Sequence, residues 1–156
     1  MRLKERQRGI DDVALMKLLS NYIPVGNTAN MIHGYSNSSI RSILQLYTPM
    51  KELNNCTTLL RRFIYLPNYD MTRGIKNNYP TPERTICDFL MYPKELCSDL
   101  YLMDAIEGYK EEFGDFCKVY DMLKDFNIDK KDFDYWLDYL WEGSNSFAVE
   151  EVCWDD

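Results

Sequence analysis

Arg84 and Asp88 stand four residues apart in Pro80-Thr81-Pro82-Glu83-Arg84-Thr85-Ile86-Cys87-Asp88-Phe89-Leu90. That spacing brings a cation and a carboxylate together on one helical face. Glu83 adds a second carboxylate, but helix chemistry explains the string better than acid–base work does. Thr81 can cap the helix with its hydroxyl, and Pro82 at the first helical position gives up a donor that would have no partner there. Glu83 places negative charge where the helix dipole favours it. Ile86, Phe89 and Leu90 form an apolar stripe that ends before Pro93. The string predicts a buried helix with structural charges, not an active site.

Catalytic chemistry finds no other foothold. His33 is the only histidine, so a relay has no second member. No Ser or Cys sits in a nucleophile elbow, and neither GxxxxGK[ST] nor GxGxxG occurs to cradle phosphates. Asp132 and Asp134 are two apart, which on a helix points them away from each other rather than at a common metal. Cysteines 56, 87, 97, 117 and 153 are odd in number and form no CxxC pair, which reads as reduced thiols rather than a zinc site. No catalytic residue, metal or cofactor is expected, and the chain is not expected to be an enzyme.

Two kinds of binding chemistry remain. His33-Gly34-Tyr35-Ser36-Asn37 has the cadence of a helix-turn-helix, with a second helix whose inward residues are Ile40, Ile43, Leu44 and Tyr47. Ser38, Ser39, Arg41, Ser42 and Gln45 would face outward, and Arg41 and Gln45 could reach base edges or phosphates. Arg61 and Arg62 would then sit on a β wing touching the DNA backbone. The competing reading is a helical hairpin with a serine-rich solvated face. The other chemistry is acidic. Asp104, Glu107, Glu111, Asp121 and Asp125, interleaved with Tyr and Phe, could offer a surface to a basic protein partner, or serve only as a solubilising face.

The elements that would position these residues follow from periodicity and breakers. Asp11 or Asp12 caps a first helix carrying Val13, Leu15, Met16, Leu18 and Leu19. Asn27 to His33 forms a second, broken by Gly34. Cys56 to Leu66 is rich in β-branched and aromatic residues and predicts one strand or a small hairpin, with a turn-rich stretch through Gly74 to Asn78. Beyond the Thr81 start, apolar residues step by three or four through three further helices, punctuated by Gly114 and Asn127. The tail to Asp156 is acidic but carries Phe147, Val149, Val152 and Trp154, which suits docking onto the helices.

Charge divides the chain at the same place. Residues 1–78 hold 11 Lys/Arg against 5 Asp/Glu, a net +6, and residues 79–156 hold 7 against 20, a net −13. The first part could face nucleic acid and the second could not easily do so, although the two could also pair within the molecule. No apolar run approaches the length needed to cross a bilayer, and no signal-peptide pattern opens the chain, so a cytoplasmic protein without membrane contact is expected.

Residues 79–140 resemble the C-terminal region of the AbiEi family, the antitoxin halves of type IV toxin–antitoxin modules in phage defence. The resemblance is carried by Pro82-Glu83-Arg84-Thr85-Ile86-Cys87-Asp88-Phe89, by Met103-Asp104-Ala105-Ile106-Glu107-Gly108-Tyr109, by Tyr120-Asp121-Met122-Leu123-Lys124-Asp125-Phe126 and by Tyr135-Trp136-Leu137-Asp138-Tyr139-Leu140. It implies a non-enzymatic regulator that neutralises a nucleotidyltransferase-like toxin and represses its own promoter. Family members usually carry a winged helix-turn-helix, then a mixed α/β region, then these helices. Here residues 1–78 are short for both parts, so either the middle is cut down or the DNA-binding part is gone. The alternative reading is a phage-encoded, anti-CRISPR-like inhibitor whose acidic helices block a basic nucleic-acid channel.

The expected fold is α+β and predominantly α-helical. A basic helix-turn-helix-like region with a small β wing occupies residues 1–78, an acidic AbiEi-like helical bundle residues 79–142, and an acidic tail residues 143–156.

Overall fold

The computed structural model describes residues 22–36, 44–58, 61–96 and 99–141. The first expected helix, the serines of the expected recognition helix and the acidic tail lie outside them. Among the described residues the architecture is α+β with a helical majority, as the sequence predicted.

Helix α1 (Gly26–His33) ends where glycine dictates. Gly34 adopts the left-handed conformation (φ 79°), and its N–H returns to the carbonyls of Asn30 and Met31. The chain then departs from expectation. Leu44–Thr48 is strand β1, not the end of a helix, and it pairs in parallel with β3 (Arg61–Tyr65) from Leu44 opposite Arg61 to Thr48 opposite Tyr65. Apolar residues at 40, 43, 44 and 47 fit a helical period. The run Leu44-Gln45-Leu46-Tyr47-Thr48 fits a buried strand equally well, and only the pairing decides between them. Backbone bonds from Val25 N–H to Gln45 O (3.0 Å) and from Tyr47 N–H to Ile23 O (2.8 Å) occupy the other edge of β1. Strand β2 (Thr57–Thr58) runs antiparallel on the far side of β3, giving the order β1-β3-β2.

A second, two-stranded ribbon joins β4 (Ile75–Lys76) to β5 (Tyr79–Pro80). Its two-residue turn places both Asn77 and Asn78 at positive φ (52° and 66°), the geometry for which asparagine is favoured in a tight hairpin. The ribbon delivers the chain to the Thr81 cap. Thr81 Oγ1 accepts from Arg84 N–H at 3.2 Å, and Pro82 opens helix α2 (Pro82–Met91). Helices α3 (Asp99–Phe113), α4 (Cys117–Asp125) and α5 (Lys130–Trp141) follow, separated by Gly114 (φ 85°) and Asn127 (φ 57°) at the expected breaks.

Helix α2 packs against α1, α3 and α4. One continuous core runs from Ile23, Val25, Tyr47 and Ile64 through Ile86 and Phe89 to Ile106, Phe116, Leu123, Phe133 and Leu137. It crosses the charge boundary at residue 79, so the basic and acidic parts share their buried surface. A smaller cluster of Met31, Ile32, Leu44 and Leu46 lies between α1 and the sheet.

Candidate functional site: acidic helices on a buried charge scaffold

The charged residues that begin α2 are interior. Arg84 is 0% exposed and Asp88 1%. Arg84 Nε donates to Asp88 Oδ1 at 2.7 Å, and Tyr69 Oη donates to Asp88 Oδ2 at 2.7 Å. Arg84 Nη1 donates to the Arg73 carbonyl. The guanidinium lies between two aromatic rings, 4.4 Å from the Tyr69 centroid and 4.7 Å from that of Phe126. Burial and cation–π stacking thus hold the pair from all sides. Burial pushes the Asp88 carboxyl up to about 6, against the opposing pull of Arg84 and its two hydrogen bonds. Asp88 and its tyrosine raise the Arg84 guanidinium in turn, although burial alone would lower it. A carboxyl poised near 6 has the value of a general acid or base. Sealed at 1% exposure, it has no route to a substrate, and the pair is structural.

Three more carboxylates are tied to tyrosines on neighbouring elements. Tyr109 of α3 donates to Glu83 of α2 at 2.6 Å, Tyr120 of α4 to Asp134 of α5 at 2.6 Å, and Tyr35, just after α1, to Glu112 of α3 at 2.5 Å. Gly108 makes the last contact possible, because a Cβ there would run into the Tyr35 ring. The Tyr109 phenol is held well above its ordinary range, first by burial and then by Glu83. Part of the acidic charge of the second half therefore serves internal hydrogen bonds between elements.

Of the residues expected to read DNA, only Gln45, Arg61 and Arg62 are described, and they lie on two paired strands, with Gln45 opposite Arg62. Ser38, Ser39, Arg41 and Ser42 lie outside the described residues. Gln45 is on strand β1 rather than on a recognition helix. Its Oε1 accepts from Asn27 N–H at 3.0 Å, and its own N–H donates to Thr28 Oγ1 at 2.7 Å, so it fastens the start of α1. Arg61 and Arg62 are on β3, the middle strand of its sheet and not a projecting wing. Both are half-buried, Arg61 lies 5.9 Å from the Tyr22 ring centroid, and Arg62 Nε is buried without a hydrogen-bond partner.

The acidic residues are placed differently. Asp104, Glu107 and Glu111 recur at three- and four-residue steps along one face of α3, with Glu107 and Glu111 exposed and Asp104 half-buried. Partial burial raises the Asp104 carboxyl. Asp121 and Asp125 are exposed one turn apart on α4, where the Asp125 carbonyl also accepts from Arg73 Nη1 at 2.6 Å. Helix α2 packs on both α3 and α4, so the two acidic sets belong to separate helices on one scaffold.

Sequence reasoning missed a groove of about 510 Å³ between the end of α2, the start of α3 and α5. Tyr135 was a usable signal, since this exposed tyrosine of α5 falls on the side opposite buried Phe133 and Leu137. His33 Nε2 lies 2.7 Å from the Pro80 carbonyl and ties α1 to the ribbon, in keeping with a structural histidine. Cys56 is a free exposed thiol and Cys87 a free buried one, but Cys117 is disulfide-bonded, which departs from a wholly reduced set. Among the described residues no cluster of His, Cys, Asp or Glu could hold a metal ion, and no helix is long and apolar enough to cross a membrane. No family model matches the chain, and no curated protein or solved structure matches it either.

Proposed function

We propose that the chain is a non-enzymatic, antitoxin-type regulator that works by engaging a basic protein partner through the acidic surface of its C-terminal helices. The observation that carries this reading is the face of α3 on which Glu107 and Glu111 stand exposed beside Asp104, on a helix anchored by Tyr109 and Glu112 to its neighbours. A rigid helix with a one-signed face gives electrostatic complementarity and fast association with a positively charged partner. The resemblance of residues 79–140 to AbiEi antitoxins makes a nucleotidyltransferase-like toxin the partner to test first. Promoter repression would require DNA contact from the first 78 residues. The internal roles of Gln45 and of β3 remove support from that part of the reading.

The test is toxicity rescue in cells expressing an AbiE-type nucleotidyltransferase, with Glu107→Lys/Glu111→Lys as the diagnostic variant. Rescue by the wild type and its loss in the folded variant support the proposal; equal rescue by both removes the α3 face from it. A duplex-DNA mobility shift measured at two salt concentrations tests the repressor part separately.

The second reading, an inhibitor that occupies a basic nucleic-acid channel, is favoured by the exposed Asp121 and Asp125 on α4. Charge reversal there should abolish binding to a basic nucleoprotein while leaving toxin rescue intact.

A further inference from the structure

Among the described residues six large hydrophobic side chains are exposed, and one of them, Tyr135 (62%), lines the groove, with Tyr139 (62%) one turn further along α5. Part of the groove lining is apolar, from Phe89, Leu90, Pro93 and Leu102. One wall is aromatic. The Tyr135 and Trp136 rings stand at 88° with centroids 5.4 Å apart, and Trp136 meets Tyr139 at 78° and 5.9 Å. The lining also carries charge, with Asp99 and Asp132 against the one lining cation, Lys131, and all three are exposed.

Apolar lining, perpendicular aromatic rings and exposed carboxylates fit one natural side chain better than the others. Arginine lays an aliphatic stem on apolar surface, stacks its planar guanidinium on aromatic faces and pairs with carboxylates. A purely apolar anchor would leave the two lining carboxylates unused, and a lysine would match the stem but not the stacking. We infer that this groove receives an arginine side chain of a basic protein partner, and so serves as the anchor point beside the acidic face of α3. The inference rests on the proposed binding of a basic partner, since Asp99 begins the helix that carries Glu107 and Glu111.

The experiment uses the full-length chain and small probes in place of the unidentified partner. Indole and tyrosine signals are followed by NMR during titration with n-butylguanidinium, n-butylammonium and 1-pentanol. The expected result is a saturable shift at Trp136 and Tyr135 with n-butylguanidinium binding tightest. Asp99→Asn and Asp132→Asn should each weaken it by about two- to fivefold, the range of an exposed ion pair, and Lys131→Glu should strengthen it by a similar factor. Because the wild-type titration needs no variant, a misfolded substitution cannot mimic failure. Absence of a saturable shift overturns the inference, as does 1-pentanol or n-butylammonium binding as well as the guanidinium. Protection of the groove that changes with protein concentration would assign it instead to a second copy of the chain, and also overturns it. Toxin rescue by the Glu107→Lys/Glu111→Lys variant reads out the acidic face and does not depend on the groove, so the two ideas can fail separately.

Discussion

Replacing Arg84 by methionine keeps much of the volume and removes the charge from a site with no solvent to take its place. Asp88 would then keep only the Tyr69 hydroxyl, 2.7 Å from its Oδ2, as a partner. Leaving one member of a buried ion pair uncompensated costs about 3–5 kcal/mol, a large part of the roughly 5–15 kcal/mol that holds a domain together. With a urea dependence of about 2 kcal/mol/M, the midpoint of unfolding should fall by about 1.5–2.5 M. The pH dependence has a definite sign. Asp88 already titrates at about 6 in the fold against 3.8 for the free side chain, so between these values the folded state holds more protons than the unfolded one. Stability contributed at this site therefore falls as pH rises through that window and is regained on acidification. Loss of Arg84 lifts the Asp88 carboxyl further, so the variant's deficit should grow as pH rises above about 6 and level off below it, where Asp88 is protonated in both folded proteins. Adding Asp88→Asn removes the stranded charge and should return at least half of the loss. Urea unfolding followed by tryptophan fluorescence between pH 4 and 8 measures all of this. A deficit in Arg84→Met below about 1 kcal/mol, or one that grows on acidification, would refute the assignment of the pair as a sealed structural centre.

Other substitutions probe the links around it. Tyr109→Phe leaves Glu83 without its phenol and should cost about 1–2 kcal/mol in denaturant unfolding. Thr81→Ala removes the cap from α2 and should cost about 1 kcal/mol by the same measurement. Gly108→Ala gains about 1 kcal/mol of helix propensity but drives a methyl into the Tyr35 ring. Overpacking of that kind costs about 1–3 kcal/mol, so a net loss of stability is expected, and a gain in thermal midpoint would show that Tyr35 can move aside. The Asp70 carboxyl is held down at about 2 by the Thr72 hydroxyl and by the backbone N–H groups of Thr72 and Arg73. A carbon-detected NMR titration should place its midpoint near that value; a midpoint in the ordinary range would mean that this turn is not formed in solution.

Where local chemistry decides conformation, the sequence was legible. The Thr81-Pro82 start, the stop at Gly34 and the breaks at Gly114 and Asn127 each rest on one or two residues whose conformational needs are nearly independent of context. Strand β1 was not legible, because its conformation is decided by a partner seventeen residues away, where Leu44 meets Arg61. Apolar spacing over four positions satisfies both a helix and a buried strand, and no local residue arbitrates. Gln45 went the same way: it reads as a polar outward residue until the sheet places it against α1.

The charge boundary at residue 79 shows the same limit from the other side. A net of −13 in the second half suggested a broad acidic surface, and counting alone gives no reason to reduce it. Asp88 is neutralised by Arg84, while Glu83, Glu112 and Asp134 accept from tyrosines on neighbouring elements. A carboxylate that must keep a phenol within hydrogen-bond distance is constrained in rotamer, and its charge is partly screened by that donor. Exposed carboxylates with no such duty among the described bonds include Glu107 and Glu111 on α3, Asp121 and Asp125 on α4, and Asp99 and Asp132 at the groove. They sit on helices that are themselves tied together by the carboxylate–tyrosine pairs. Acidic and tyrosine-rich composition thus has two readings that coexist here. Inward-facing carboxylates link the helices through tyrosine hydrogen bonds, and outward-facing ones stand on the exposed faces of α3 and α4.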